Sequence, residues 1–273
     1  MLAGDALLRG PRLVAAAREL LAVAPAGLLC DVDGTLSPIA PRPELAVVRP
    51  PMRRALRALV PRLALVAAVS GRAATDARHL VRVRGVLYVG NHGAEAVVGR
   101  RRWEHPEATR YRAAIAAVLE TLRCLVPADE VRFEPKGVSA SIHYRGARDP
   151  SATRAAILHA LSVIPEARAL RITEGRLIVE LRPPIAASKG TATTCLLHRH
   201  ELRAAVFLGD DRTDLDAMQA LRAARDDARA RTLSIAVASP EMPPQLLDTA
   251  DGVVDGVDGV ESFLTALASD LAS

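Results

Sequence analysis

The chain has 273 residues, 50% hydrophobic and 25% charged, which suits one large domain or two small ones and excludes a disordered chain or a coiled coil. Its formal net charge of +5 is diffuse and aromatics are 3%, so there is little to stack bases on; an anionic small molecule accounts for the surplus better than nucleic acid. No apolar run approaches the ~20 residues of a membrane span, and Arg9, Arg12, Arg18 and Glu19 interrupt the start before a secretory apolar core develops, so a cytoplasmic protein with no membrane contact is expected.

Helical periodicity covers 12–23, and the apolar run Gly27 to Cys30 then ends at Asp31. A helix at 51–60 precedes the run Leu63 to Val69, which ends at Ser70; a helix at 73–82 precedes a strand from Val86 to Val89. Continuous apolar runs of this length suit strands buried on both faces of a parallel sheet. From about Glu104 the pattern changes to helix 107–126, strands 130–134 and 138–144, helix 151–163, and strands 168–173 and 176–182, with Gly137 and Glu174-Gly175 at the hairpin turns. The parallel pattern resumes with helix 189–199, the run Ala204 to Leu208 ending at Gly209, helix 213–224, strand Leu233 to Val237 and helix 258–270. The predicted architecture is α/β: a doubly wound parallel sheet formed by 1–104 and 183–273, with an inserted α+β unit at 105–182.

Cys30, Cys124 and Cys195 have neither zinc spacing nor a disulfide framework and read as buried free thiols of a reducing compartment. Trp103, near the expected hinge, reads as packing. Nearly all the basic charge is arginine: Lys136 and Lys189 are the only lysines, and Asn91 is the only asparagine. Lysine is a compact point charge where arginine is a planar fork, so sites that accept only the former stand out against this background.

Asp31-Val32-Asp33-Gly34-Thr35 places two carboxylates at i and i+2 at a strand end, aimed into the crevice at the carboxyl edge of the sheet. One can attack as a nucleophile while the other manages a proton and helps to hold a divalent cation; an ordinary Asx turn is the plainer alternative. Gly209-Asp210-Asp211-Arg212-Thr213-Asp214 offers the several oxygens a hard cation needs, and Thr213 with Asp216 also fits a helix cap. Ser70-Gly71-Arg72 opens a helix, where a hydroxyl and backbone N–H groups bind anions. Ser188-Lys189-Gly190 puts a cation in a helix's first turn, which is unfavourable unless an anion lies beside it.

The order D-x-D-G-T, S-G-R, K, G-D-D-x-x-D over about 25–265 resembles the haloacid dehalogenase (HAD) superfamily, and the insertion resembles its C2-type cap. Within it the chain is most similar to the trehalose-6-phosphate phosphatase family, on Asp31 to Ile39, Val69 to Arg72, Gly90-Asn91-His92-Gly93-Ala94-Glu95, Glu134-Pro135-Lys136-Gly137, Val179-Glu180-Leu181-Arg182-Pro183 and Gly209 to Ala217. Leu215, Met218 and Ser188 depart from the family's usual acidic residue, Phe, and Asp or Asn, and none removes a group that the reaction needs.

The resemblance implies Mg²⁺-dependent hydrolysis of trehalose 6-phosphate through an aspartyl phosphate, the last step of trehalose biosynthesis, with a separate trehalose-phosphate synthase in the pathway. It implies Asp31 as nucleophile and Asp33 as acid–base, with Asp31, Asp33, Asp210, Asp211 and Asp214 at the metal and Ser70, Gly71 and Lys189 on the phosphoryl oxygens. Arg72, His92, Glu134, Lys136 and Glu180 are the implied substrate-binding residues; His143 and Arg145 lie on the same strand run. Sucrose-phosphate or mannosyl-phosphoglycerate phosphatases, and a non-catalytic phospho-aspartate regulator, are the alternatives.

Overall fold

In the computed structural model, which describes residues 7–175 and 177–270, two compact units form: 1–102 with 187–273, and 103–186. In chain order the first unit contributes α1 (Gly10–Leu21), β1 (Ala26–Cys30), α2 (Pro50–Leu59), β2 (Leu65–Val69), α3 (Ala74–Val81), β3 (Leu87–Gly90) and β4 (Glu95–Val98), and β5 (Arg101–Glu104) straddles the boundary. The second holds α4 (Pro106–Thr109), α5 (Arg112–Leu125), β6 (Arg132–Pro135), β7 (Ala140–His143), α6 (Pro150–Val163), β8 (Arg171–Gly175) and β9 (Ile178–Arg182). The chain then returns to the first unit through α7 (Lys189–Arg199), β10 (Ala204–Gly209), α8 (Asp214–Asp226), β11 (Arg231–Ala238), α9 (Gln245–Thr249), β12 (Gly252–Asp255) and α10 (Gly256–Asp270).

The larger sheet runs β12-β11-β10-β1-β2-β3-β4-β5. It is parallel from β12 to β3, and β4 turns back antiparallel on β3. The central strands β1, β2 and β10 are buried along their whole length, as their unbroken apolar runs require. Alternate side chains divide between two cores: Leu28 and Cys30 pack with α1, α2, α3 and α10, while Leu29 and Phe207 pack with α7 and α8. This is the doubly wound arrangement expected from the sequence. Among the described residues, no helix is long and apolar enough to cross a membrane.

The second unit is a four-stranded antiparallel sheet, β6-β7-β9-β8, with one apolar face under α5 and α6. Ile142, Val179 and Leu181 face that core beside Ile115, Val118 and Ile157. The period of two sends the intervening residues to the other face.

Several expectations need correction. The helix expected over 107–126 breaks at 110–111 into α4 and α5. A 3₁₀ turn at Pro165–Ala169 occupies the start of the strand expected at 168–173. Arg176, where the next strand was expected to begin, lies outside the described residues. The hairpin β4–β5 and the edge strand β12 were not anticipated: each is four residues long and too short to carry a period. Only Cys30 is a buried thiol; Cys124 and Cys195 are exposed on α5 and α7. Trp103 is 44% exposed rather than packed, its ring edge-on to His105.

Candidate active site

Parallel pairing aligns the carboxyl ends of the three central strands. Cys30 lies opposite Leu208 of β10 and Ala68 of β2, so Asp31, Ser70 and Asp210 emerge side by side at one edge. One carboxylate oxygen from each of Asp31, Asp210 and Asp214 falls within 4.8 Å of the others, and all three residues are buried. Gly34 makes this approach possible. Its φ of +88° is left-handed, and a Cβ there would lie 2.1 Å from Asp210 Oδ2.

Lys189 lies among these acids. Its Nζ donates to Asp31 Oδ1 at 2.6 Å and to Asp214 Oδ1 at 2.7 Å, and the side chain is 3% exposed. Ser188 caps α7, accepting from the backbone N–H groups of Gly190 and Thr191, while Thr191 Oγ1 accepts from the Ser188 N–H. The lysine is thus fixed at the first helical position. The anion that such a site demands is supplied by two aspartates 158 and 25 residues away in sequence. Burial works against the ammonium, yet Asp214 and Asp31 outweigh it and hold Lys189 above its ordinary pKa. Burial also pushes the Asp31 carboxyl well above the usual range; Lys189 opposes this, and Asp214 and Asp210 add to it.

Asp214 is committed on both oxygens. Oδ1 takes Lys189, and Oδ2 accepts from the backbone N–H groups of Asp210 and Asp211 at 3.1 and 3.0 Å. That bond pattern corrects the cap expected at Thr213, which is helical and makes no capping bond: the carboxylate of Asp214 ties the turn instead. Three buried carboxylates against one ammonium leave a negative excess on hard oxygen donors. This donor set fits a divalent cation such as Mg²⁺, with Asp31 and Asp210 better placed to coordinate than Asp214.

Asp33 points to a different partner. Arg72 grips it with a two-pronged fork, Nε to Oδ2 and Nη2 to Oδ1, both at 2.7 Å. The Ser70 hydroxyl accepts from the Arg72 backbone N–H at 3.1 Å. His92 is buried, its backbone N–H bonded to the Ser70 carbonyl, and its ring lies where a Cβ on Gly71 would meet it at 2.8 Å.

Asn91 and Glu95 hold this turn from below. Asn91 and His92 both have left-handed φ, of 49° and 55°. The buried Glu95 carboxylate accepts from the Ala74 N–H at 2.7 Å and from Asn91 Nδ2 at 2.8 Å. Glu95 closes the motif Gly90 to Glu95, and the family resemblance assigns it no task. The signal was there: α3 opens on Ala73-Ala74 with no residue able to cap it, so a carboxylate from elsewhere had to serve. Glu95→Ala is expected to cost about 3 kcal/mol in a urea unfolding titration; an unchanged midpoint would show that the cap is dispensable.

In the second unit, Glu134, Ser141, Glu180 and Thr173 form one cross-strand row on the polar face of the sheet. Lys136 Nζ lies 3.9 Å from Glu134 and 3.7 Å from Glu180, and His143 Nε2 lies 2.6 Å from Glu134 Oε2. The three residues expected on this unit, Glu134, Lys136 and Glu180, therefore meet in one buried or half-buried cluster.

The trehalose-phosphatase family model matches residues 29–244. A Mycobacterium tuberculosis protein named an uncharacterized glycosyl hydrolase is 37% identical over 205 residues, 70% of this chain and 15% of its own length. A trehalose 6-phosphate phosphatase of Zea mays is 32% identical over 243 residues, 80% of this chain and 66% of that protein. The chain thus spans less than two thirds of both curated relatives. The solved C-terminal domain of C. albicans trehalose-6-phosphate phosphatase shares the fold, with a TM-score of 0.76 over 98% of this chain and 99% of that one at 20% identity. Since the matched stretch begins inside the strand that delivers Asp31 and runs past the helix that follows Asp214, the chain belongs to the trehalose-phosphatase family.

Proposed function

We propose that this protein hydrolyses trehalose 6-phosphate to trehalose and inorganic phosphate, the last step of trehalose biosynthesis, in the cytoplasm and downstream of a separate trehalose-phosphate synthase. The observation that carries this reading is the buried Lys189 ammonium bridging Asp31 and Asp214 beside Asp210, in a chain of this family. Phosphoryl transfer depends on positioning and on neutralising charge, and a fixed ammonium beside a strand-end carboxylate supports both.

Asp31 attacks phosphorus and takes the phosphoryl group onto its carboxylate as the bond to the sugar oxygen breaks. Asp33 gives that oxygen its proton. Asp33 then takes a proton from the water that attacks the aspartyl phosphate, which releases phosphate and restores Asp31. Ser70, the Gly71 N–H and Lys189 bind the phosphoryl oxygens. Mg²⁺ held by Asp31, Asp210 and the Asp33 carbonyl, with Asp211 and Asp214 in support, would neutralise charge on the group being transferred. Residues 103–186 act as the specificity cap: Glu134, Lys136 and Glu180 read the sugar hydroxyls, and His92 belongs to the substrate-binding set.

The test is Mg²⁺-dependent phosphate release from trehalose 6-phosphate, sucrose 6-phosphate, mannosyl-3-phosphoglycerate and glucose 6-phosphate. Trehalose 6-phosphate is expected to be strongly preferred. Lys136→Ala should raise its KM by about 10- to 100-fold, since a buried polar group that loses its partner costs about 1–3 kcal/mol. Preference for another sugar phosphate would remove the assignment of the cap residues and leave the Asp31 chemistry standing. Stoichiometric labelling of the protein without release would favour the regulator.

A further inference from the structure

We propose that Arg72 serves the reaction as a positioning residue for Asp33 and not as a ligand of the sugar. The inference rests on the reading of Asp33 as the acid–base group. An aspartate side chain turns about two bonds, whereas a general acid must hold its oxygen within about 2.6–3.2 Å of the leaving atom. A guanidinium fork on both carboxylate oxygens fixes the plane and direction of that group, which a point-charged lysine does not do.

Arg72 is itself fixed. A further nitrogen, Nη1, donates to the Pro43 carbonyl at 3.1 Å, the Arg72 carbonyl accepts from the Asn91 N–H at 2.7 Å, and the side chain is 12% exposed. Asp33 is 37% exposed at the same contact, so the more buried partner anchors the more open one. The backbone of Asp33 is constrained independently by the tight turn in which the Gly34 N–H donates to the Ser37 carbonyl at 2.7 Å. One residue therefore sets two groups. Arg72 directs the Asp33 carboxylate through its side chain, and through its backbone N–H it occupies a lone pair of Ser70 Oγ, which leaves the hydroxyl proton available to a phosphoryl oxygen.

The discriminating experiment compares two substrates. p-Nitrophenolate leaves without protonation, whereas the sugar alkoxide of trehalose 6-phosphate does not; removal of the phosphoryl group from Asp31 needs Asp33 with both. Wild type, Arg72→Lys and Arg72→Gln would be followed by stopped-flow with p-nitrophenyl phosphate and by steady-state phosphate release from trehalose 6-phosphate, alongside thermal melts. Expected for both variants is a kcat on trehalose 6-phosphate lower by about 10- to 100-fold with KM moving less than about threefold. With p-nitrophenyl phosphate, a burst of nitrophenolate should persist while the turnover that follows slows, and lysine should not rescue. A raised KM with kcat preserved would overturn the proposal in favour of direct sugar binding. Equal losses of burst, turnover and melting temperature in both variants would overturn it in favour of a purely structural role. If wild type shows the burst but ignores trehalose 6-phosphate, the substrate reading fails, and the ratio of burst to turnover still decides the role of Arg72.

Discussion

Lys189→Met is expected to lower unfolding stability by about 3–5 kcal/mol and to abolish the proposed phosphatase activity. Methionine approximates the shape of the lysine stem but not its charge. It would leave Asp31 and Asp214, both buried, facing each other and Asp210 without the ammonium that bonds to two of them at 2.6 and 2.7 Å. Removing one partner of a buried charge cluster costs more than the cluster ever contributed, because the remaining charges stay desolvated. Lys189→Arg should rescue neither property. The position is the first of α7, is 3% exposed, and holds a point charge between two carboxylates that converge on it. Denaturant titration with and without Mg²⁺ checks this. Added Mg²⁺ should restore part of the lost stability of Lys189→Met, since a divalent ion relieves the same crowding. A wild-type midpoint in the variant would mean that the three acids are not jointly ionised.

The same cluster shows what was legible in the sequence. Lysine is so scarce in this chain that Lys189 stood out, and its place in a helix's first turn demanded an anion, so the residue could be singled out without coordinates. Its partners could not be read from local pattern, because the bonds join the starts of α7 and α8 to the end of β1, which meet only when β1 and β10 pair. The parallel core was legible for a related reason: strands buried on both faces carry continuous apolar runs, and those of β1, β2 and β10 are unmistakable. β12 and the β4–β5 hairpin were not, since four residues in a strand show no period and the pairing that creates them is long-range.

Side-chain roles failed where two expectations competed for the same group. Thr213 had the right type and spacing for a cap, yet the Asp214 carboxylate reaches the N–H groups of Asp210 and Asp211 while also holding Lys189. A charged acceptor makes the stronger bonds, and the threonine is left helical. Arg72 and Asp33 were each noticed, 39 residues apart, but nothing in local pattern says that a basic and an acidic residue on neighbouring strand ends will pair with each other before either meets a ligand.

Asp31→Asn is expected to reduce turnover by at least about 10⁴-fold while raising the melting temperature in buffer containing EDTA by roughly 2–4 °C. The first effect follows from loss of the carboxylate proposed to attack phosphorus. The second follows from linkage. Burial, together with Asp214 and Asp210, holds the Asp31 pKa in the folded protein above its unfolded value despite Lys189. A carboxyl shifted in that direction binds its proton more tightly when folded, so its contribution to stability is most favourable at low pH and declines as pH rises through the unfolded and then the folded pKa. Above the unfolded pKa the carboxyl is therefore a cost to the fold, and asparagine, with an amide oxygen where Asp31 Oδ1 accepts from Lys189, removes the titrating group without removing the acceptor. Thermal melts from pH 4 to pH 8 should show the advantage of the variant growing with pH, and Mg²⁺ should narrow it by stabilising wild type more. A variant that melts below wild type at pH 8 would mean that the Lys189 ion pair outweighs the crowding among the three acids; retained turnover would remove Asp31 as the nucleophile. If both effects appear together, the residue that performs the chemistry is also one the fold is destabilised to keep, the trade expected where a reactive charge is held in a buried site.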